Sequence, residues 1–254
     1  MDRQYDPQEL GHTVRQIVVR GGLRKYYRTS RPGRWYGGIS TADCVGCNLK
    51  CVFCWSNKPR DNPQTVGIFH SAEQIYECLT RCASKYGYRL LRVSGNEPII
   101  AKEHILELLT LVDRSHYRFI LETNGILIDE EFAKLLRSFR NLQVRVSLKG
   151  TTCAEFSQLT GAEQAAFNCQ LDALRNLVAY SVRCSVAVMV SFSPQESVEQ
   201  LKLSIEKIDP LLASSIEEEY LILYPHVIKR LEAAELKPLV AFTPDGIPKR
   251  LKEW

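Results

Sequence analysis

At 254 residues, 45% hydrophobic and 24% charged, with 14 Gly and 11 Pro, the chain has the make-up of a folded domain. Collagen-like, low-complexity and disordered classes are excluded. A net charge of +4, from 33 Lys and Arg against 29 Asp and Glu, is too mild to name a nucleic-acid partner. Apolar runs of about 18 residues are absent, and the opening MDRQYDPQEL is too polar for a secretory signal, so the expectation is a cytoplasmic protein with no membrane span.

In chain order, residues 1–36 form a basic N-terminal extension. Arg15, Arg20, Arg24, Lys25, Arg28, Arg31 and Arg34 fall in a stretch without acids, interleaved with Tyr26, Tyr27 and Trp35. That pattern suits a surface for phosphate or an acidic protein, or a solvated arm. From residue 37 onward, short β-rich runs alternate with longer amphipathic ones, the mark of a parallel α/β fold. Strands are expected at 37–42, 89–94, 118–123, 142–148, 183–190 and 219–224. Helices are expected at 71–86, 102–114, 129–139, 162–179, 195–207 and 225–235. Ser71 with Gln74 three residues later, and Asp129 ahead of Phe132, Leu135 and Leu136, supply helix starts. The core unit then spans 37–235, and a tail, 236–254, carries Pro238, Pro244 and Pro248. The tail either covers the core or packs loosely.

Such βα repetition gives either an open barrel or a doubly wound sheet, and in both, ligands bind at the C-terminal ends of the strands. The unusual residues collect there: the cysteine cluster, SGNEP, ETNG, SLKG, MVSF and YPH follow the six strands in turn.

Nine cysteines in a reducing compartment point away from structural disulfides. Cys44, Cys47, Cys51 and Cys54 lie within eleven residues, a density that metal chemistry explains. Thiolates suit zinc or an iron–sulfur cluster. Zinc knuckles place a dozen or more residues between two CxxC pairs, whereas three intervene here. The all-cysteine ferredoxin pattern, with its CP ending, is also absent.

Cys47-x3-Cys51-x2-Cys54, with Phe53 before the last cysteine, resembles the signature of the radical S-adenosylmethionine (SAM) superfamily. The resemblance implies a partial (β/α)6 barrel of the radical SAM type within the α/β class. It also implies a [4Fe-4S] cluster held by Cys47, Cys51 and Cys54, with one iron left open for the amino and carboxylate groups of SAM. The same logic keeps an open position on catalytic zinc. Cys44 is then the spare thiol, structural or redox-active. Ser94-Gly95-Asn96-Glu97-Pro98 is similar to the superfamily's GGEP motif, with Asn96 in place of the second Gly, which puts Gly95, Asn96 and Glu97 near the SAM amino group. Thr123 and Asn124 of ETNG, and Ser147 and Lys149 of SLKG, look like pieces of the activating enzymes for glycyl-radical proteins. They are expected to shape the cofactor site and to meet the SAM ribose or carboxylate. Val188 or Val190 would pack on adenine. Cys153 as a relay thiol and His226 as a proton-exchanging group are the candidate catalytic residues.

The implied reaction is that of an iron–sulfur oxidoreductase. One electron from a donor such as ferredoxin or flavodoxin cleaves SAM to methionine and a 5′-deoxyadenosyl radical, which abstracts hydrogen from a substrate. The ETNG piece favours a protein or peptide substrate. CVFCW around Cys51 and Cys54 is similar to the tRNA-modifying wybutosine-synthesis enzymes, but those carry further upstream cysteines and none precedes Cys44 here. A non-catalytic iron–sulfur or zinc module is the remaining alternative.

Overall fold

The structure, a computed structural model, describes residues 4–246; the first three residues and the end of the tail, Pro248 included, lie outside them. Helix α1 (Pro7–Val18) leads into β1 (Val19–Arg20) and β2 (Leu23–Gly33). There follow β3 (Ile39–Cys44), α2 (Asn57–Asp61), β4 (Ile68–His70), α3 (Ala72–Tyr86), β5 (Leu90–Ser94), α4 (Lys102–Asp113) and β6 (Arg118–Thr123). Next come α5 (Glu130–Leu136), β7 (Leu142–Leu148), α6 (Cys153–Thr160), α7 (Ala166–Ala179), β8 (Cys184–Met189), α8 (Gln195–Glu206), α9 (Pro210–Ser214) and β9 (Glu217–Glu219). Strands β10 (Leu221–Ile222) and β11 (Ala241–Phe242) flank α10 (Pro225–Ala233).

The helix starts follow local chemistry. Ser71 and Gln74 close a capping box at α3, and the Asp129 carboxylate accepts from the Phe132 amide at 2.7 Å to start α5. The helix expected over 162–179 begins only at Ala166, and a separate helix, α6, precedes it.

Strands β3, β5, β6, β7, β8 and β9 pair in parallel and in chain order. A doubly wound sheet would reverse that order at a switch point. The steady progression is that of an opened (β/α) barrel. Beyond β3 the sheet continues antiparallel through β2, which also pairs with β1 and β4. At the other end the pairing stops at β9 among the described residues.

Side chains alternate between the two faces of each strand. The outer set, including Leu91, Val93, Phe119, Leu121, Val144, Val146 and Val186, is buried beneath Ile75, Leu79, Leu108, Phe132 and Leu174 of the surrounding helices. The inner set is polar. Arg92 donates to Thr41 Oγ1 at 3.0 Å and to Glu122 at 2.8 Å, while Ser94 donates to the second Glu122 oxygen at 2.7 Å. Arg145 reaches Glu217 at 2.9 Å and Glu219 at 2.8 Å. The barrel interior is therefore crossed by an ion network drawn from β5, β6, β7 and β9.

That network accounts for the displaced sixth strand. The sequence reading places it on the apolar run 219–224, but the sheet takes the acidic Glu217–Glu219. Alternation sends Glu217 and Glu219 inward, onto Arg145. Leu221 and Ile222 leave the sheet to pair with β11.

Part of the basic N-terminal stretch is built into the sheet through β2. Arg24 and Lys25 are buried, with Lys25 Nζ donating to the carbonyls of Pro63 and Gln64 at 2.8 and 2.9 Å. Arg31 forms a two-bond pair with Asp43 on β3 at 2.6 and 3.0 Å. Arg28 and Arg34 remain exposed. No described helix is long and apolar enough to cross a membrane.

Candidate cluster and cofactor site

The cysteine loop follows β3 at the C-terminal end of the barrel strands. Its entry is set by Gly46, at φ +85°, where an added Cβ would lie 2.5 Å from Val14 of α1. Only glycine combines that backbone with that close approach. Segments from across the chain fasten the loop. Tyr5 Oη accepts from the Lys50 amide at 2.8 Å, and the Val52 amide donates to Leu159 O at 2.9 Å. Arg60 donates to Cys51 O at 2.5 Å, Arg230 donates to Cys54 O, and His226 Nε2 donates to Trp55 O at 3.0 Å.

Asn96 explains its own presence in place of glycine. Its Oδ1 accepts from the Gly46 amide at 2.9 Å and its Nδ2 donates to Ser56 O at 3.0 Å, so one side chain staples both ends of the loop. Gly95, at φ +95°, permits close packing of β5 on β3: a Cβ there would lie 3.0 Å from Asp43 Cα and the Cys44 amide nitrogen. The close approach is to the protein's own backbone.

Cys47, Cys51 and Cys54 share this loop, whereas Cys44 ends β3 and is fully buried in the apolar core. Burial, reinforced by the Glu97 carboxyl and the sister thiol of Cys51, pushes the Cys47 thiol well above its usual range. Burial raises Cys51 to about 11, with the Lys149 ammonium opposing. Ligation by thiolates therefore releases protons.

Glu97, Thr123 and Asn124 converge beside Cys47. The Glu97 carboxyl accepts from Thr123 Oγ1 at 2.7 Å, from the Asn124 amide at 2.9 Å and from the Ile99 amide at 3.2 Å. A carboxylate has about four acceptor positions, so roughly one is left for an outside donor. Asn124 Nδ2 donates to Asn48 Oδ1 at 2.7 Å and lies 4.0 Å from Cys47 Sγ. Ser147 and Lys149 form a second group: Lys149 Nζ donates to Ser147 Oγ at 2.5 Å, which in turn donates to Glu219 at 2.6 Å. The Lys149 charge favours the ionised forms of both Glu97 and Cys51. Val188 and Val190 are buried in the main core cluster. Cys153 opens α6 and packs partly buried against the core.

Two residues escaped the sequence reading. Glu219 was assigned to an apolar strand, yet it anchors Ser147 and faces Lys149 at 3.9 Å. Buried Gln170 on α7 donates to Asn124 O at 2.5 Å and Ser147 O at 3.3 Å, and accepts from the Lys149 amide at 3.2 Å. It braces three strand-end groups at once. A lone glutamine in an amphipathic helix carries no such signal. Gln170→Leu leaves those backbone groups unpaired in a buried place, for an expected loss of about 3 kcal/mol. The check is a urea titration showing a lower midpoint at unchanged slope.

The residues suit an iron–sulfur cluster. Three thiols on one loop supply the soft donors that such a cluster takes, although among the described residues no three Cys, His, Asp or Glu side chains are grouped to hold a single metal ion. Four buried polar side-chain atoms lack a hydrogen-bond partner in the described structure, and two of them, Asn48 Nδ2 and Arg230 Nη1, adjoin this loop. Such donors match sulfide and thiolate acceptors. Lys149 and the remaining acceptor position of Glu97 provide complementary charges for the carboxylate and amino groups of an amino-acid moiety such as that of SAM.

The model of the radical SAM superfamily matches residues 43–208, more than half of the chain. A Fe-coproporphyrin III synthase of Methanosarcina barkeri is 30% identical over 135 residues, 51% of this chain and 33% of its own. A probable GTP 3′,8-cyclase of Archaeoglobus fulgidus is 32% identical, covering 51% and 41%. A cysteine-type anaerobic sulfatase-maturating enzyme of Clostridium perfringens is 32% identical, covering 41% and 30%. The matched regions thus span less than half the length of these curated relatives. None of the three is named as an activating enzyme for glycyl-radical proteins, so the likeness supports the superfamily rather than that subgroup. In fold, the chain is similar to native anSMEcpe with bound AdoMet and Cp18Cys peptide, at TM-score 0.54 and 21% identity, covering 74% of this chain and 50% of that one. It is similar also to TYW1 with a lysine-pyruvate adduct bound, at TM-score 0.52 and 12% identity, covering 88% and 76%. With its cysteine loop, its strand order and a superfamily model spanning most of the barrel, the chain belongs to the radical SAM superfamily, enzymes that use a [4Fe-4S] cluster and SAM.

Proposed function

We propose that this enzyme abstracts hydrogen from a protein or peptide, with Cys47, Cys51 and Cys54 as the iron ligands and Glu97, Thr123, Asn124, Ser147 and Lys149 framing SAM. The observation that carries the reading is the single frame formed by the cysteine loop, the Glu97–Thr123–Asn124 group and the Ser147–Lys149–Glu219 group at one end of the barrel. When bound and reduced by a one-electron donor protein such as ferredoxin or flavodoxin, the cluster supplies the electron that cleaves SAM to methionine and the 5′-deoxyadenosyl radical.

The chain's own residues hold and shield that chemistry. Lys149 offers an ammonium to a carboxylate, fixed by Ser147 and Glu219 beneath it. Glu97 offers its remaining acceptor position to an ammonium, and Asn96 keeps the cysteine loop at its height above the strands. Buried walls exclude water and competing hydrogen donors. His226 bonds to the cysteine loop itself, at Trp55 O, whereas among the described residues no hydrogen bond ties Cys153 to the Glu97 or Lys149 groups.

A protein or peptide substrate is supported by a sheet whose pairing ends at β9 among the described residues and by exposed Trp55 on the cysteine loop. These features suit an extended chain with an apolar residue to anchor. The sulfatase-maturating relative is in keeping with it. The glycyl-radical resemblance enters only in its broader form, a polypeptide as hydrogen donor.

The test uses extract from cells grown in heavy water, separated into protein and RNA, and offered to the reconstituted enzyme with unlabelled SAM. Deuterium appearing in 5′-deoxyadenosine from the protein fraction, and lost after protease treatment, is expected. Label arising instead from RNA, and lost after ribonuclease, overturns the polypeptide reading.

A further inference from the structure

Helix α10 lies at the far end of the chain yet grips the cysteine loop. Arg230 Nη2 donates to Cys54 O across 176 positions, and its Nε donates within the helix to His226 O at 3.3 Å. Arg60 reaches Cys51 O at 2.5 Å and is neutralised by Asp61 through bonds of 2.7 and 3.0 Å. Arg230 forms no ion pair with a described carboxylate, and its remaining nitrogen, Nη1, is buried without a partner.

A buried unpaired guanidinium donor calls for an acceptor. Thiolate-ligated clusters have potentials set by net charge and by hydrogen bonds to their sulfurs. Three thiolates on a [4Fe-4S]²⁺ core leave a net negative charge, which grows by one on reduction. A cation donating to sulfur therefore stabilises the reduced form more than the oxidised form, and the potential rises.

We propose that Arg230 is a positioning residue for the redox step: its Nη2 holds the Cys54 carbonyl while its Nη1 donates to sulfur at the Cys54 end of the loop, easing cluster reduction. This rests on the reading of Cys47, Cys51 and Cys54 as iron ligands. Apolar packing supports the placement, since Val227 and Leu231 of α10 pack in one cluster with Val52 and Phe53 of the loop.

The test is a potential-controlled titration, followed by electron paramagnetic resonance, of the anaerobically reconstituted full chain, with iron and sulfide counted first. At one fixed potential, Arg230→Gln is expected to hold wild-type iron but show a reduced-to-oxidised ratio about tenfold lower. For a one-electron couple this equals about 59 mV. Arg230→Lys, which keeps charge but not the two-ended fork, is expected to fall between. Wild-type titration curves in both variants at full iron content overturn the proposal. If Arg230→Gln loses its cluster, Arg230→Lys decides alone, and a wild-type potential there overturns it. Failure of the unsubstituted protein to hold a cluster would instead contradict the ligand reading itself.

Discussion

Alanine at Cys47, Cys51 or Cys54 is expected to cut cluster content at least tenfold, whereas alanine at Cys44 leaves it near the wild-type value. The four thiols are close in sequence but not equivalent in the fold. Cys44 ends β3 and is fully buried among apolar side chains, and burial raises its thiol to about 11. It behaves as a small hydrophobe, and its removal costs about 1 kcal/mol. The other three leave the strand on a loop clamped at Gly46, Lys50, Val52, Cys54 and Ser56. Iron and sulfide counted per chain after anaerobic reconstitution check this. Wild-type iron in any of the three, or its loss in Cys44→Ala, breaks the assignment.

Arg145→Met is expected to destabilise the protein by about 4 kcal/mol, because it leaves Glu217 and Glu219 in the barrel interior without their main counter-charge and removes a more distant one from Glu122. The Arg145 side chain is 11% exposed and bonds to Glu217 and Glu219, with Glu122 at 3.9 Å. For a chain of this size the loss corresponds to a melting temperature lower by roughly 10 °C. Adding Glu219→Gln should recover part of the loss, since the two changes act on one network. Additive effects of the pair would deny the coupling.

The same network sets an acid limit. Burial alone would raise the Glu219 carboxyl, but Arg145 first, then Lys149 and Ser147, hold it down to about 2. A carboxyl depressed in the folded state contributes stability above its ordinary pKa of 4.5, and that contribution is lost as pH falls toward 2. Chemical denaturation between pH 5 and pH 2 should therefore show wild-type stability falling more steeply than that of Glu219→Gln.

Features encoded by near neighbours were the legible ones. Ser71 and Gln74 announce a helix start because their bonds are local, and the cysteine spacing points to a cluster because the three proposed ligands share one loop. The alternation of β5, β6 and β7 marks them as strands even with arginines and glutamates on the inner face. Features that depend on distant partners were hidden. Strand β2 reads as a basic arm until Asp43 and the carbonyls of Pro63 and Gln64 receive its cations. Glu217 lies outside the expected sixth strand and Glu219 only opens it, until Arg145 stands opposite them. Gln170 and Arg230 look like ordinary helix residues, and their roles appear only when folding brings Ser147 or Cys54 beside them.

The central claim is that this cysteine loop and strand-end frame carry radical SAM chemistry. The most direct measurement is anaerobic reconstitution with iron and sulfide, reduction by dithionite in the presence of SAM, and chromatography for 5′-deoxyadenosine. The account predicts its formation by the wild-type protein, with none above background from the Cys47, Cys51 and Cys54 variants. A fully loaded, reducible cluster that binds SAM and yields no 5′-deoxyadenosine, even with the substrate fraction present, would contradict it.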